Sequence, residues 1–407
     1  MNPHHLILTI AVATTACSPG PQSSAPAPAA RSADRLYAWT ASADTTRRAA
    51  FLVEFDLDPG SPTAGKIVRV LPAGPGSRGT HHTEHQLEPD GLLFASDFGT
   101  GRTYVFDLNE PANPRLHASF TTAGPYGWPH SYVRLANGHR LVTYQWLATG
   151  FNTPPGGVAE VRTDGSIVRW ASARSADAAD GEITPYSVAL VPALDRAVTT
   201  STSMIDEVGV YVQVWRLSDL TLLHTLPIPG GHPHDMAAMD STPHHLFPSE
   251  PRVLADGKTV ILPTFNCGMY TLTGLETAAP VIKPVHEFSG KDCGVPVVVG
   301  HYWLQTVPAA HAIIALDMST PSAPREVSRI VFADSVGPHW LAADRSGSRL
   351  VMNTGLGRDS RLYLVRLDAR SGALSADPRF PVLEMGAIDV PGVGRMRGVP
   401  HGTVFSR

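Results

Sequence analysis

Histidine recurs along this chain in short, similar phrases: THHTEH at 80–85, WPHS at 128–131, HPHD at 232–235, GPHW at 337–340 and VPHG at 399–402. Four of the five set proline directly before histidine, which removes a ladder donor and stiffens the approach of the backbone. Such stiffness suits a ring that must keep its direction. Neutral imidazole is the commonest protein ligand for transition metals, and an all-nitrogen set suits copper, iron, zinc or nickel. A single Pro-His pair is better explained as a buried ring bonded to a carbonyl. Recurrence across distant parts of the chain is what points to a shared ion.

Within that reading His82, His130 and His401 are the primary ligand candidates, with His81 next. His234 and His339 sit on the far side, where they complete the sphere or act as acid–base groups. Asp235 joins them as a catalytic candidate. Asp235 and Glu84 are also carboxylates able to orient a ligand imidazole through its second nitrogen; their plainer reading is a surface charge. His85 lies farther along the same strand, facing the axis lower down. His244 and His245, in the insertion STPHHLFPSEPRVL, read as loop residues, with a lid or second metal site as the sharper alternative. His117, His139, His224, His286, His301 and His311 read as structural. Tyr126, Trp128, Tyr186, Phe265 and Trp340 cluster near the same places, as walls of a small apolar pocket or as packing between repeats.

Rings so far apart in sequence meet only if the chain returns repeatedly to one axis. A unit of roughly forty to fifty residues does recur, the length of a propeller blade. In each copy a short first strand leads to an Asp-Gly, Asn-Gly or Ser-Gly turn, then to a β-branched strand and a third ending near Asp or Arg and Leu. Period-two alternation marks these runs as half-buried antiparallel strands, and the turn dipeptides supply the positive φ of tight hairpins. Every histidine phrase falls on a first strand, the innermost of a blade. The fourth copy is read as beginning at HPHD. Gly398 to Arg407 looks like a first strand without a blade, and Arg35 to Leu71 like a blade without its first strand. Joined, they make an all-β, seven-bladed β-propeller over 35–407, closed by pairing of the N- and C-terminal strands.

A net charge of −4 with 17% charged residues leaves no broad cationic face for nucleic acid. No interior stretch reaches the length of an apolar membrane span. Residues 1–17 read as a lipoprotein-like signal peptide, with His4 and His5 lost on cleavage and Cys17 as a lipid-anchor site. Residues 18–34 read as a disordered linker. This places the protein in the periplasm or cell envelope. There Cys267 and Cys293 are read as a disulfide, with two buried thiols as the alternative.

The His81-His82 pair, PHS at 129–131, HPHD at 232–235 and the terminal Pro400-His401 together resemble the selenium-binding protein/methanethiol oxidase family. The resemblance implies a seven-bladed propeller, an exported copper enzyme oxidising a small thiol with oxygen, and copper ligands at His81, His82, His130 and His401. A rival reading is the carotenoid/stilbene-cleavage oxygenases, also seven-bladed, whose four histidines hold iron(II). A third is a non-catalytic periplasmic propeller binding a metal or other ligand.

Overall fold

In a computed structural model, which describes residues 34–75, 79–178, 183–205, 209–230, 244–354 and 359–406 together with Met1, seven antiparallel sheets follow one another around a ring. Their innermost strands are Thr80–Thr83, Tyr126–Arg134, Pro185–Val191, Arg252–Val253, Val297–Val299, Trp340–Ala343 and Gly398–Phe405. We number the blades one to seven in that order. Contacts between these strands run from blade five through six and seven to one, two, three and four, the seventh meeting the first.

The seventh blade closes the ring as the sequence predicts. Gly398–Phe405 pairs with Arg35–Ser42, bringing Leu36 opposite Phe405 and Ser42 opposite Gly398. The turn grammar holds too. Gly91 and Gly138 follow Asp90 and Asn137 with φ of 67° and 87°, a region that carries a Cβ poorly.

The alternation, however, does not separate core from solvent. Every residue of Ala49–Asp56 is buried, because each sheet is packed between two others. Seven apolar clusters fill the gaps between neighbouring blades. Along Arg35–Ser42, Leu36 and Ala38 enter the cluster shared with blade six, while Tyr37 and Trp39 enter the one shared with blade one. Alternation therefore assigns side chains to one neighbour or the other. Only outer strands such as Arg115–Phe120 are half exposed.

The fourth blade departs from the expected boundaries. Its innermost strand comes from PSEPRV, with Arg252–Val253 paired to Val260–Pro263 and a bridge between Pro248 and Thr264. The segment read as an insertion thus supplies the channel strand, and the HPHD phrase lies outside the described residues. Cys267 and Cys293 are disulfide-bonded, tying blade four to the segment that leads into blade five. Among the described residues no helix is long and apolar enough to cross a membrane.

Candidate metal centre

Four innermost strands slip by one residue against their second strands, all at the level of the histidine phrases. His81 and His82 together oppose Ser96, and His130 and Ser131 oppose Thr143. Tyr186 and Ser187 oppose Thr200, and His401 and Gly402 oppose Trp39. Each is a β-bulge, which re-aims side chains at the cost of a ladder bond. The facing hydroxyls take up what the ladder loses. Ser131 N–H donates to Thr143 Oγ1 (3.1 Å) and Ser187 N–H to Thr200 Oγ1 (3.3 Å). Second-strand side chains then reach across to the next blade: Thr143 to Tyr186 O (2.8 Å), Thr200 to Ser249 O (2.5 Å), Thr306 to His339 O (2.9 Å) and Asn353 to His401 O. Gly402 is required by close approach, since a Cβ there would lie 2.7–2.8 Å from Thr83.

These bulges turn four buried imidazoles into one cluster. Ring centroids lie 4.3 Å apart for His81 and His82, 4.7 Å for His81 and His130, 4.5 Å for His81 and His401, and 4.3 Å for His82 and His130. Two overlapping donor sets, His81-His82-His401 and His82-His130-Glu250, have ligand atoms within 4.8 Å of one another. His81 Nδ1, His82 Nδ1, His130 Nε2 and His401 Nε2 are buried with no hydrogen-bond partner. Orphaned buried polar atoms are costly and rare, and neutral nitrogen donors of this kind fit a transition-metal ion. Burial first, then neighbouring histidines, pushes the His81, His130 and His401 rings well below the usual 6.5, so they are held neutral as ligands must be.

Beside them stands a carboxylate absent from the sequence reading. Glu250 Oε1 lies 3.1 Å from His82 Nδ1 and 3.5 Å from Ser131 Oγ. Oε2 accepts from Ser187 Oγ (2.6 Å) and Arg252 Nη1 (3.1 Å). Burial alone would push its carboxyl up, but the His82 and His85 rings and Arg252 outweigh it and hold Glu250 well below the usual carboxylate range. A signal for it exists: Glu250 stands as far before Gly257 as Ser131 stands before Gly138.

His85 does face the axis. It stacks on Trp340 (4.6 Å, 10°) and accepts from Arg252 Nη2 (2.9 Å). His339 is only partly buried and lies 5.1 Å from His401 between ring centroids, beside the cluster. Burial, then His82, takes its ring down to about 4. His234 and Asp235 lie outside the described residues. Glu84 is neither a surface charge nor an orienting group; it is buried against Arg140 Nε (2.5 Å) and Phe94 N–H (3.0 Å). His244 is a buried loop residue bonded through Nδ1 to Asn266 O (2.5 Å).

Three of the five expected aromatic residues reach the site. Tyr186 packs on His130 (3.9 Å) with its hydroxyl 3.4 Å from His82 Nε2, Phe265 abuts Tyr186 (5.4 Å), and Trp340 lies edge-on to His82 (5.0 Å). Tyr126 instead packs on Trp170, and Trp128 on Trp146 and Phe151. Phe98, unremarked in the sequence, lies 5.5 Å from His81.

No family profile matches the chain. A methanethiol oxidase of Hyphomicrobium sp is 27% identical over 153 residues, 37% of this chain and 34% of that protein. A methanethiol oxidase of Ruegeria pomeroyi is 30% identical over 97 residues, 23% of this chain and 22% of that protein. The matches thus span about a third or less of these curated relatives. Among solved structures, a hypothetical selenium-binding protein from Sulfolobus tokodaii superposes with a TM-score of 0.73 at 14% identity, covering 92% of this chain and 94% of that one. The periplasmic gluconolactonase of Pseudomonas aeruginosa gives 0.63 at 16%, covering 92% and 99%. At such identities the structural likenesses concern the fold alone. Part of the chain is thus distantly similar in sequence to methanethiol oxidases, and its fold is one it shares with a selenium-binding protein.

Proposed function

We propose that the protein is an exported, metal-dependent oxidoreductase, with copper as its ion, that oxidises a small thiol or related reductant with oxygen. The convergence of His81, His82, His130 and His401 from three blades, with four buried ring nitrogens making no hydrogen bond, carries this reading. The similarity to methanethiol oxidases supports the reaction class. A bound copper ion supplies one-electron chemistry between a sulfur reductant and oxygen. The chain's own residues bind and orient: Phe98, Tyr186 and Phe265 form an uncharged wall suited to a small apolar substrate. A cleaved signal peptide and a lipid anchor at Cys17 would place the enzyme in the periplasm or cell envelope.

Elemental analysis of freshly purified protein, followed by oxygen uptake with small thiols, tests this. His130→Ala is expected to lower metal affinity by more than the ~10–100-fold typical of outer groups, with the fold retained. Stoichiometric metal in that variant, or none in the wild type, overturns the reading. Iron(II) is the second reading, favoured by the His82-His130-Glu250 set, since two imidazoles and a carboxylate suit non-haem iron. Iron in place of copper in the purified protein would select it.

A further inference from the structure

Glu250 is buried, and its side-chain contacts come from three other blades as well as its own. Blade one supplies His82 Nδ1 at 3.1 Å from Oε1, a close contact that is not a hydrogen bond, while His85 Nε2, which accepts from Arg252, lies 3.5 Å from Oε2. Blade two supplies the Ser131 hydroxyl (3.5 Å), and blade three the Ser187 hydroxyl (2.6 Å). Arg252, two residues on, adds Nη1 (3.1 Å), and three more of its five donors go to Pro251 O, Pro296 O and His85. Oε2 is therefore saturated by groups that hold the carboxylate still, while Oε1 faces the imidazole cluster. The guanidinium is too fully engaged to serve as an anion site.

Resting on the metal-centre reading above, we infer that Glu250 is the positioning residue of that centre. It holds His82 by Nδ1, so that Nε2 is the nitrogen presented to the ion. A ligand imidazole whose second nitrogen meets a carboxylate is fixed in tautomer and ring angle, and is the better donor for it. Ser187 and Arg252 position the positioner. The rival account is a structural ion pair with Arg252 that happens to lie near the site. The two differ in one observable: only the first reaches the remote nitrogen of a bound imidazole.

The test loads the full-length wild type, Glu250→Gln and Ser187→Ala proteins with Cu(II) alone. Affinity is read by competition with a chelator, and the remote imidazole nitrogen by electron spin-echo modulation. The expected result is a ~10–100-fold weaker affinity for Glu250→Gln with a shifted remote-nitrogen signal and an unchanged number of nitrogen ligands. Ser187→Ala, which removes the shortest bond to the carboxylate but no charge, is expected to move both readouts the same way by less, and serves if Glu250→Gln fails to fold. Unchanged affinity and signal in the variants of a wild type that binds Cu(II) overturns the inference and leaves the metal centre standing. Loss of a directly bound oxygen ligand in Glu250→Gln also overturns it, making Glu250 a ligand. Absence of Cu(II) binding by the wild type overturns the metal-centre reading itself, and the inference with it.

Discussion

Five imidazoles on the propeller axis are held neutral at a price in acid stability. His81, His130 and His401 lie well below 6.5 in the folded protein, and His85 and His339 lie at about 4, burial being the first cause in each. On unfolding each returns to about 6.5 and takes up a proton that the native ring refuses. Below that value the unfolded chain binds more protons, so metal-free protein loses stability as pH falls from about 6.5 towards 4, by about 1.4 kcal/mol per pH unit for each ring. Thermal melts of metal-free protein across that window check this; a melting temperature that stays level from neutral pH down to about 4.5 contradicts it. That His81, His82, His130 and His401 come together was legible because histidine recurs in the first-strand slot of several repeats. Glu250 was not, because its strand was hidden in what read as an insertion and its neighbours in sequence carry no matching phrase.

Between residue and ring lies the bulged strand. Thr143 accepts the Ser131 N–H stranded by the bulge and donates to Tyr186 O in the next blade, so one hydroxyl serves both the ligand strand and its neighbour. Thr143→Val keeps the shape, removes both bonds and leaves the buried Ser131 N–H unsatisfied. The expected cost is about 1–3 kcal/mol in denaturant unfolding, with weaker metal retention. An unchanged midpoint would show the hydroxyl to be dispensable. Buried ion pairs act at the same scale. Arg140→Met leaves buried Glu84, whose carboxyl burial pushes up to about 8, without its Arg140 donor and also removes one from Asp90; it should cost about 1–3 kcal/mol, recovered in part when Glu84→Gln is added. Recovery absent from the double variant would point to packing by Arg140 instead. The turns that bound these strands were readable from Asp-Gly and Asn-Gly. The bulges were not, since a bulge is a property of the register between two strands, and alternation in one strand says nothing of its partner's offset.

At the scale of the molecule the seven-fold repeat and its closure followed from two half-blades at the ends, because neither could cover its edge alone. Blade four was misplaced because its first strand is short and preceded by a long connection. The Cys267–Cys293 bond closes a segment with a sequence separation of 26 beside the Phe265 wall, and chain entropy makes such a link worth about 3 kcal/mol. Cys267→Ser with Cys293→Ser should lower the unfolding midpoint accordingly while the sheets persist by circular dichroism; an unaltered midpoint would deny the bond a stabilising role.

One strand does two jobs. Gly398–Phe405 seals the ring and also carries His401. The imidazole cluster is therefore incomplete until that strand is threaded beside Arg35–Ser42, so sealing the ring and assembling the candidate centre are a single event. A change that frays the sealing pair would undo both together.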